Sequence, residues 1–80
     1  MNSYTVSYFG LLAERRGVSE EQLTSNAGTP SELYQNLNDA YQLGLDISNF
    51  RVAVNDEFTT WNHPLETGDR IALLPPMSGG

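Results

Sequence analysis

Thr29-Pro30-Ser31-Glu32 sets three helix-start signals in one short run. A threonine can serve as N-cap, a proline suits the first helical position because the N–H it lacks would go unbonded there, and a glutamate is spaced to close a capping box. From that start Leu33, Leu37, Ala40, Tyr41 and Gly44 recur at three- and four-residue spacing. The spacing predicts a helix with one apolar stripe, with Gln35, Asn38, Asp39 and Gln42 turned to water and Gly44 ending or following it. Around this helix the chain changes period. Tyr4 to Phe9 alternates every second residue, with Tyr4, Val6 and Tyr8 on one face and Thr5, Ser7 and Phe9 on the other. Phe50 to Val54, Phe58 to Trp61 and Arg70 to Leu74 read as further strands, the first two joined by turn residues Asn55-Asp56-Glu57 into a hairpin. Glu20 to Ser25 is a polar run around Leu23, consistent with an edge strand guarded by its charges. A short helix fits Gly10 to Arg16, with Arg15 and Arg16 in its last turn and Gly17 as C-cap. Strand, short helix, strand, capped helix and three strands describe a small α+β roll. Its expected core is the helical stripe with Val6, Val52, Val54, Ile71 and Leu73, plugged by Leu65.

At 80 residues this is one small domain, with no cysteine to brace it. The missing thiols remove disulfides, thiolate metal sites, a cysteine nucleophile and any side-chain persulfide. Ten acidic residues against four arginines and no lysine give a net charge of −6, which repels phosphate backbones and anionic membranes. Nucleic acid and membrane are therefore not expected partners. No basic stretch followed by an apolar run opens the chain and no segment is long enough to span a bilayer, so the expected location is the cytoplasm.

Side-chain chemistry is sparse. His63 stands alone before Pro64 in a turn, without the second ligand a metal needs or the nucleophile a general base would serve. The carboxylates are spread over turns and helix surface and read as a solvated coat; no phosphate-binding or calcium loop is present, and no bound cofactor is expected. The unusual feature is the end. Pro75-Pro76 stops the last strand, because proline cannot continue a ladder, and Met77-Ser78-Gly79-Gly80 follows. These last residues can extend roughly 13 Å, at about 3.3 Å each, and glycines without a Cβ can thread a narrow channel to present a bare carboxylate. A frayed terminus is the competing reading of the same residues.

Two segments decide between these readings by resemblance. Val52-Ala53-Val54-Asn55-Asp56-Glu57 and Leu65, followed by Gly68-Asp69-Arg70-Ile71-Ala72-Leu73-Leu74-Pro75-Pro76-Met77-Ser78-Gly79-Gly80, resemble the ubiquitin-like sulfur carriers of the MoaD/ThiS type, and among them the small subunits of molybdopterin synthase. Tyr8-Phe9-Gly10-Leu11-Leu12-Ala13-Glu14 and Gly17 are similar to the family's first strand–helix junction, with Gly10 and Met77 as mild departures. The resemblance implies a β-grasp domain over residues 1–76 and a flexible tail over residues 77–80. It implies that an E1-like enzyme uses ATP to adenylate the Gly80 carboxylate and that a sulfur donor converts it to a thiocarboxylate. The tail, Met77, Ser78, Gly79 and Gly80, would then enter the large subunit of molybdopterin synthase, in a heterotetramer, and give sulfur to a pterin precursor in molybdenum cofactor biosynthesis. Phe9, Phe58 and Leu74, with Pro75 and Pro76, match the family's partner surface. A thiamine-type sulfur carrier, a ubiquitin-like protein modifier and an inert β-grasp interaction module share the same outline.

Overall fold

The structure is a computed structural model that describes residues 1–75. Five strands form one mixed sheet: β1 (Asn2–Tyr8), β2 (Glu20–Ser25), β3 (Arg51–Val54), β4 (Glu57–Thr59) and β5 (Arg70–Leu74). Their order across the sheet is β2-β1-β5-β3-β4, with β1 and β5 parallel at the centre and the other pairs antiparallel. Helix α1 (Leu11–Arg16) follows β1, and α2 (Pro30–Tyr41) crosses one face of the sheet. Tyr4, Val6, Tyr8, Val52, Val54, Ile71 and Leu73 point from the sheet into the core, where Leu12, Leu33, Leu37, Leu43 and Leu65 meet them. The α+β roll expected from the alternation is the observed one.

Local chemistry explains the elements and their small departures from expectation. The Glu32 N–H donates to Thr29 Oγ1 at 3.2 Å, while the Glu32 carboxylate accepts from the Gly28 N–H at 2.8 Å, so the capping box closes one residue upstream of the usual partner. The buried stripe of α2 is Pro30, Leu33, Tyr34 and Leu37; Ala40 and Tyr41 are exposed. In the last turn of α2 the Arg16 guanidinium lies over the Tyr41 ring, and Leu43 after the helix enters the core. Tyr34 joins the stripe because its hydroxyl can donate to the Leu45 carbonyl at 2.7 Å. The helix stops at Tyr41 with Gln42 in the left-handed region, and Gly44 follows rather than caps it. In the β3–β4 hairpin Asn55 and Asp56 have φ of 53° and 71°, the positive values a two-residue type I′ turn demands. Glu57 therefore opens β4, which ends at Thr59 and leaves Trp61 outside it. A 3-10 turn over Ile47–Asn49, capped by Asp46, was not visible as periodicity because it is a single turn.

Candidate functional site

Among the described residues the sheet face opposite α2 carries no element, and its residues are the alternate set. Register builds one row across it: Glu20 lies opposite Ser7, Ser7 opposite Ala72, Ala72 opposite Ala53, and Ala53 opposite Phe58. The small side chains of Ser7, Ala72 and Ala53 make a low floor, and Phe58 stands at its margin with 63% of its surface exposed. At the end toward the chain terminus, the parallel pairing of Tyr8 with Leu73 brings Phe9 and Leu74 to the same level. Phe9 is 45% exposed and Leu74 half-buried. Two strand spacings, about 10 Å, separate the lines of β5 and β4.

Arg51 fills that interval. It lies opposite Leu74 in register, and its guanidinium carbon is 6.0 Å from the centroid of the Phe58 ring. At that distance the cation lies at the outer limit of attraction to the ring face and keeps its charge available to solvent. Sequence reading gave Arg51 no role, although its place in the alternation put it on the Leu74 face. The open surface thus carries apolar patches with Arg51 between them and a second exposed arginine, Arg70, on the same phase of β5 as Ala72 and Leu74, on a chain whose net charge is −6.

The route from sheet to tail is built at Gly10. This residue has φ 60° and ψ −133°, a conformation essentially closed to side-chain-bearing residues, and it turns the chain from β1 into α1. A Cβ placed there would stand 3.4 Å from Pro75 Cγ, so the first of the two prolines after β5 lies directly over the glycine. Pro75 is half-buried as a result. Pro75 is held at the Phe9–Leu74 end of the open face, and the glycine at position 10 is the signal that sequence reading passed over as a mild departure. The expectations for Pro76, Met77, Ser78, Gly79 and Gly80 fall outside the described residues.

Away from this face, a polar cluster ties α1 to the sheet. The Arg16 guanidinium donates to both Glu21 oxygens, at 2.8 and 2.6 Å, and lies 3.7 Å from the Tyr41 ring centroid. The Tyr8 hydroxyl donates to Glu21 Oε2 at 2.5 Å. Burial pushes the Tyr8 phenol far above its ordinary range, and the hydrogen bond to Glu21 pushes it further. For Glu21 burial is the largest single influence and acts upward. The hydrogen bonds from Arg16 and Tyr8 and the Arg16 charge together outweigh it and hold the carboxyl below its ordinary value. The three side chains thus bond one another across α1, β1 and β2. His63 is half-buried in a turn, where its backbone N–H donates to the Thr60 carbonyl at 3.2 Å. Among the described residues no group of three or more His, Asp or Glu side chains is placed to hold a metal, and no helix is long and apolar enough to cross a membrane.

Comparison with known proteins follows the same outline. A family model described as the ThiS family matches residues 6–80. Over 78 residues the chain is 30% identical to the molybdopterin synthase sulfur carrier subunit of Escherichia coli (strain K12), covering 94% of this chain and 96% of that one. A solved protein-protein complex of subunits 1 and 2 of molybdopterin-converting factor from Helicobacter pylori 26695 contains a chain 30% identical, with a TM-score of 0.67 and coverage of 98% and 99%. SAMP1 from Haloferax volcanii superposes with a TM-score of 0.78 at 25% identity, covering 99% of this chain and 100% of that one. The sheet that wraps α2 is the ubiquitin-like β-grasp these structures share. With its strands in that order and the match running from β1 to the final glycine, the chain belongs to the ThiS family.

Proposed function

We propose that this chain is the sulfur carrier subunit of a molybdopterin synthase, with the Gly80 carboxylate as its reactive group. The observation that carries the reading is the tail exit: β5 runs straight into Pro75, which is seated on Gly10 at the end of an uncovered apolar face. A partner docked on Phe9, Phe58 and Leu74 would receive Pro75, Pro76 and the residues after them in its own cleft. The apolar centre with a charged rim is what such an interface needs.

The chemistry follows from what the chain lacks. With no cysteine, its terminal acyl group is the place to hold transferable sulfur. A carboxylate is a poor electrophile; attack of its oxygen on the α-phosphorus of ATP, with pyrophosphate leaving, gives an acyl-adenylate. Attack of sulfide-level sulfur, HS⁻, on that carbonyl expels AMP and, with loss of a proton, leaves a thiocarboxylate on Gly80. Its sulfur is more nucleophilic than oxygen and attacks an electrophilic carbon of the pterin precursor, forming the carbon–sulfur bond as that carbon's bond to oxygen breaks, after which water cleaves the acyl–sulfur bond and restores the carboxylate. Successive carrier cycles complete the dithiolene. ATP and the catalytic cations belong to the partners, an E1-like activating enzyme and the large synthase subunit, so this chain acts as a tethered substrate.

The test is reconstitution. Chain incubated with an adenylating enzyme, ATP and sulfide should gain the mass of one sulfur in place of one oxygen. Chain so treated should then support dithiolene formation with the large subunit and cyclic pterin precursor. Deleting Gly80 should leave a folded chain that does neither. Dithiolene formation by the shortened chain overturns the reading, and thiocarboxylate without dithiolene assigns the carrier to another acceptor.

A further inference from the structure

Of the chain's four arginines, two are engaged on α1. Arg15 donates to the Leu43 carbonyl at 2.7 Å, and Arg16 pairs with Glu21 at 2.6 Å. Arg51 and Arg70 are exposed on the open sheet face, and among the described residues neither side chain has an ion pair or a hydrogen bond. Their surroundings differ. Arg70 lies level with Thr5 on one side and is bonded through its backbone to Asn55 on the other. Arg51 lies opposite Leu74, and its guanidinium carbon is 6.0 Å from the centroid of the Phe58 ring. Arg51 also lines a hollow of about 460 Å³ at the open end of the β3–β4 hairpin, where Phe50, Phe58 and Trp61 supply aromatic walls and the described lining holds no carboxylate.

A partner seated on Phe58 and Leu74 covers Arg51 as well, because Arg51 lies between them. A guanidinium taken out of water without a counter-ion is strongly unfavourable, and a ring face 6.0 Å away offsets little of that. A facing carboxylate removes the penalty, since the planar guanidinium can donate two parallel hydrogen bonds to its oxygens. Phosphates of a nucleic acid would meet the same cation, but a chain of net charge −6 repels a polyanion. We propose that Arg51 recognises an Asp or Glu carboxylate that the large synthase subunit places in the hollow beside Phe58, and that this pair sets which partner surfaces the face accepts. The proposal rests on the reading of this face as the large-subunit interface and adds the charged contact within it.

The experiment is a calorimetric titration of the large synthase subunit with the full chain and its variants. Arg51→Met keeps an apolar stem and removes the charge, which strands the facing carboxylate, so binding should weaken about thirtyfold. Arg51→Glu sets two carboxylates together and should weaken it more than about a hundredfold. Arg51 is exposed, so both variants should keep the thermal unfolding midpoint. Arg70→Gln removes a like charge about 13 Å away along the sheet and should cost no more than about threefold. An Arg51→Met chain that binds as tightly as the unaltered one, or more tightly, would show that the facing surface is apolar and overturn the proposal. Equal losses in Arg51→Met and Arg70→Gln would overturn it too, by tracing the effect to the overall field instead of a pair. So would self-association of the unaltered chain that Arg51→Met abolishes, which assigns the carboxylate to a second copy. Failure of the unaltered chain to bind the large subunit strikes the reading of the face itself, and the proposal with it.

Discussion

Gly10 and Phe58 mark the two ways a single position matters here, one through the backbone and one through surface. Gly10→Ala would place its new Cβ 3.4 Å from Pro75 Cγ, an ordinary contact, so the cost is backbone strain at φ 60° and not collision. The expected loss is about 1–3 kcal/mol, read as a lower urea midpoint with unchanged slope. A midpoint equal to that of the unaltered chain would show that the turn relaxes into a conformation open to alanine. Phe58 is 63% exposed and packs on little within the chain, so Phe58→Ala should leave folding stability within about 0.5 kcal/mol. On the proposed function it should weaken binding to the large synthase subunit by about 2 kcal/mol, roughly thirtyfold, in a calorimetric titration. Phe58 was singled out by the family resemblance, which matches it to a partner-facing position. Gly10 was not, because its need for a positive φ comes from the course of the chain around Pro75, which no local pattern records.

Among the elements, α2 shows how far a helix can be foretold and where foresight stops. Its start is local chemistry, and every signal at Thr29, Pro30 and Glu32 has its hydrogen-bonded or conformational counterpart. Thr29→Ala removes the acceptor for the Glu32 N–H and should cost about 1 kcal/mol, a drop near 5 °C in the unfolding midpoint by circular dichroism. Thr29→Ser should recover most of it, since serine keeps the acceptor. The helix end was read correctly, since Gly44 follows it, but the stripe was drawn too long: Ala40 and Tyr41 keep the period and lie exposed. Sequence spacing reports which side chains share a face, whereas which of them are covered depends on what folds against that face. The β3–β4 hairpin follows the same division. Asn55 tolerates a positive φ and its side chain also bonds Asp69 and the Arg70 N–H, so the turn is both locally apt and anchored to β5. Only the first half of that was readable in advance.

At the scale of the whole molecule, the Arg16–Glu21–Tyr8 cluster joins α1, β2 and β1, and the Arg16 guanidinium on Tyr41 extends it to α2. None of these residues is paired by spacing a reader could single out, since the contacts exist only once β2 has folded back beside β1. The cluster gives stability a pH dependence whose sign is set by two opposite shifts. Glu21 is held below its ordinary value in the folded chain, so its contribution is complete above the unfolded carboxylate range, about pH 4–5, and is lost as pH falls through the folded value. Tyr8 is held above its ordinary value, so its contribution is complete below about pH 10 and is lost as pH rises beyond it. Between those limits the cluster adds no slope. Glu21→Gln removes the charge that Arg16 and Tyr8 address while keeping an acceptor of the same shape. It should destabilise the chain by about 1–2 kcal/mol near neutral pH, and the gap should close as pH falls toward 2, because the unaltered chain then loses the same charge. Urea unfolding of both chains between pH 2 and pH 8 measures this. Curves that stay parallel across the acid limb would show that the pH dependence belongs to the other carboxylates and that the cluster acts only by shape.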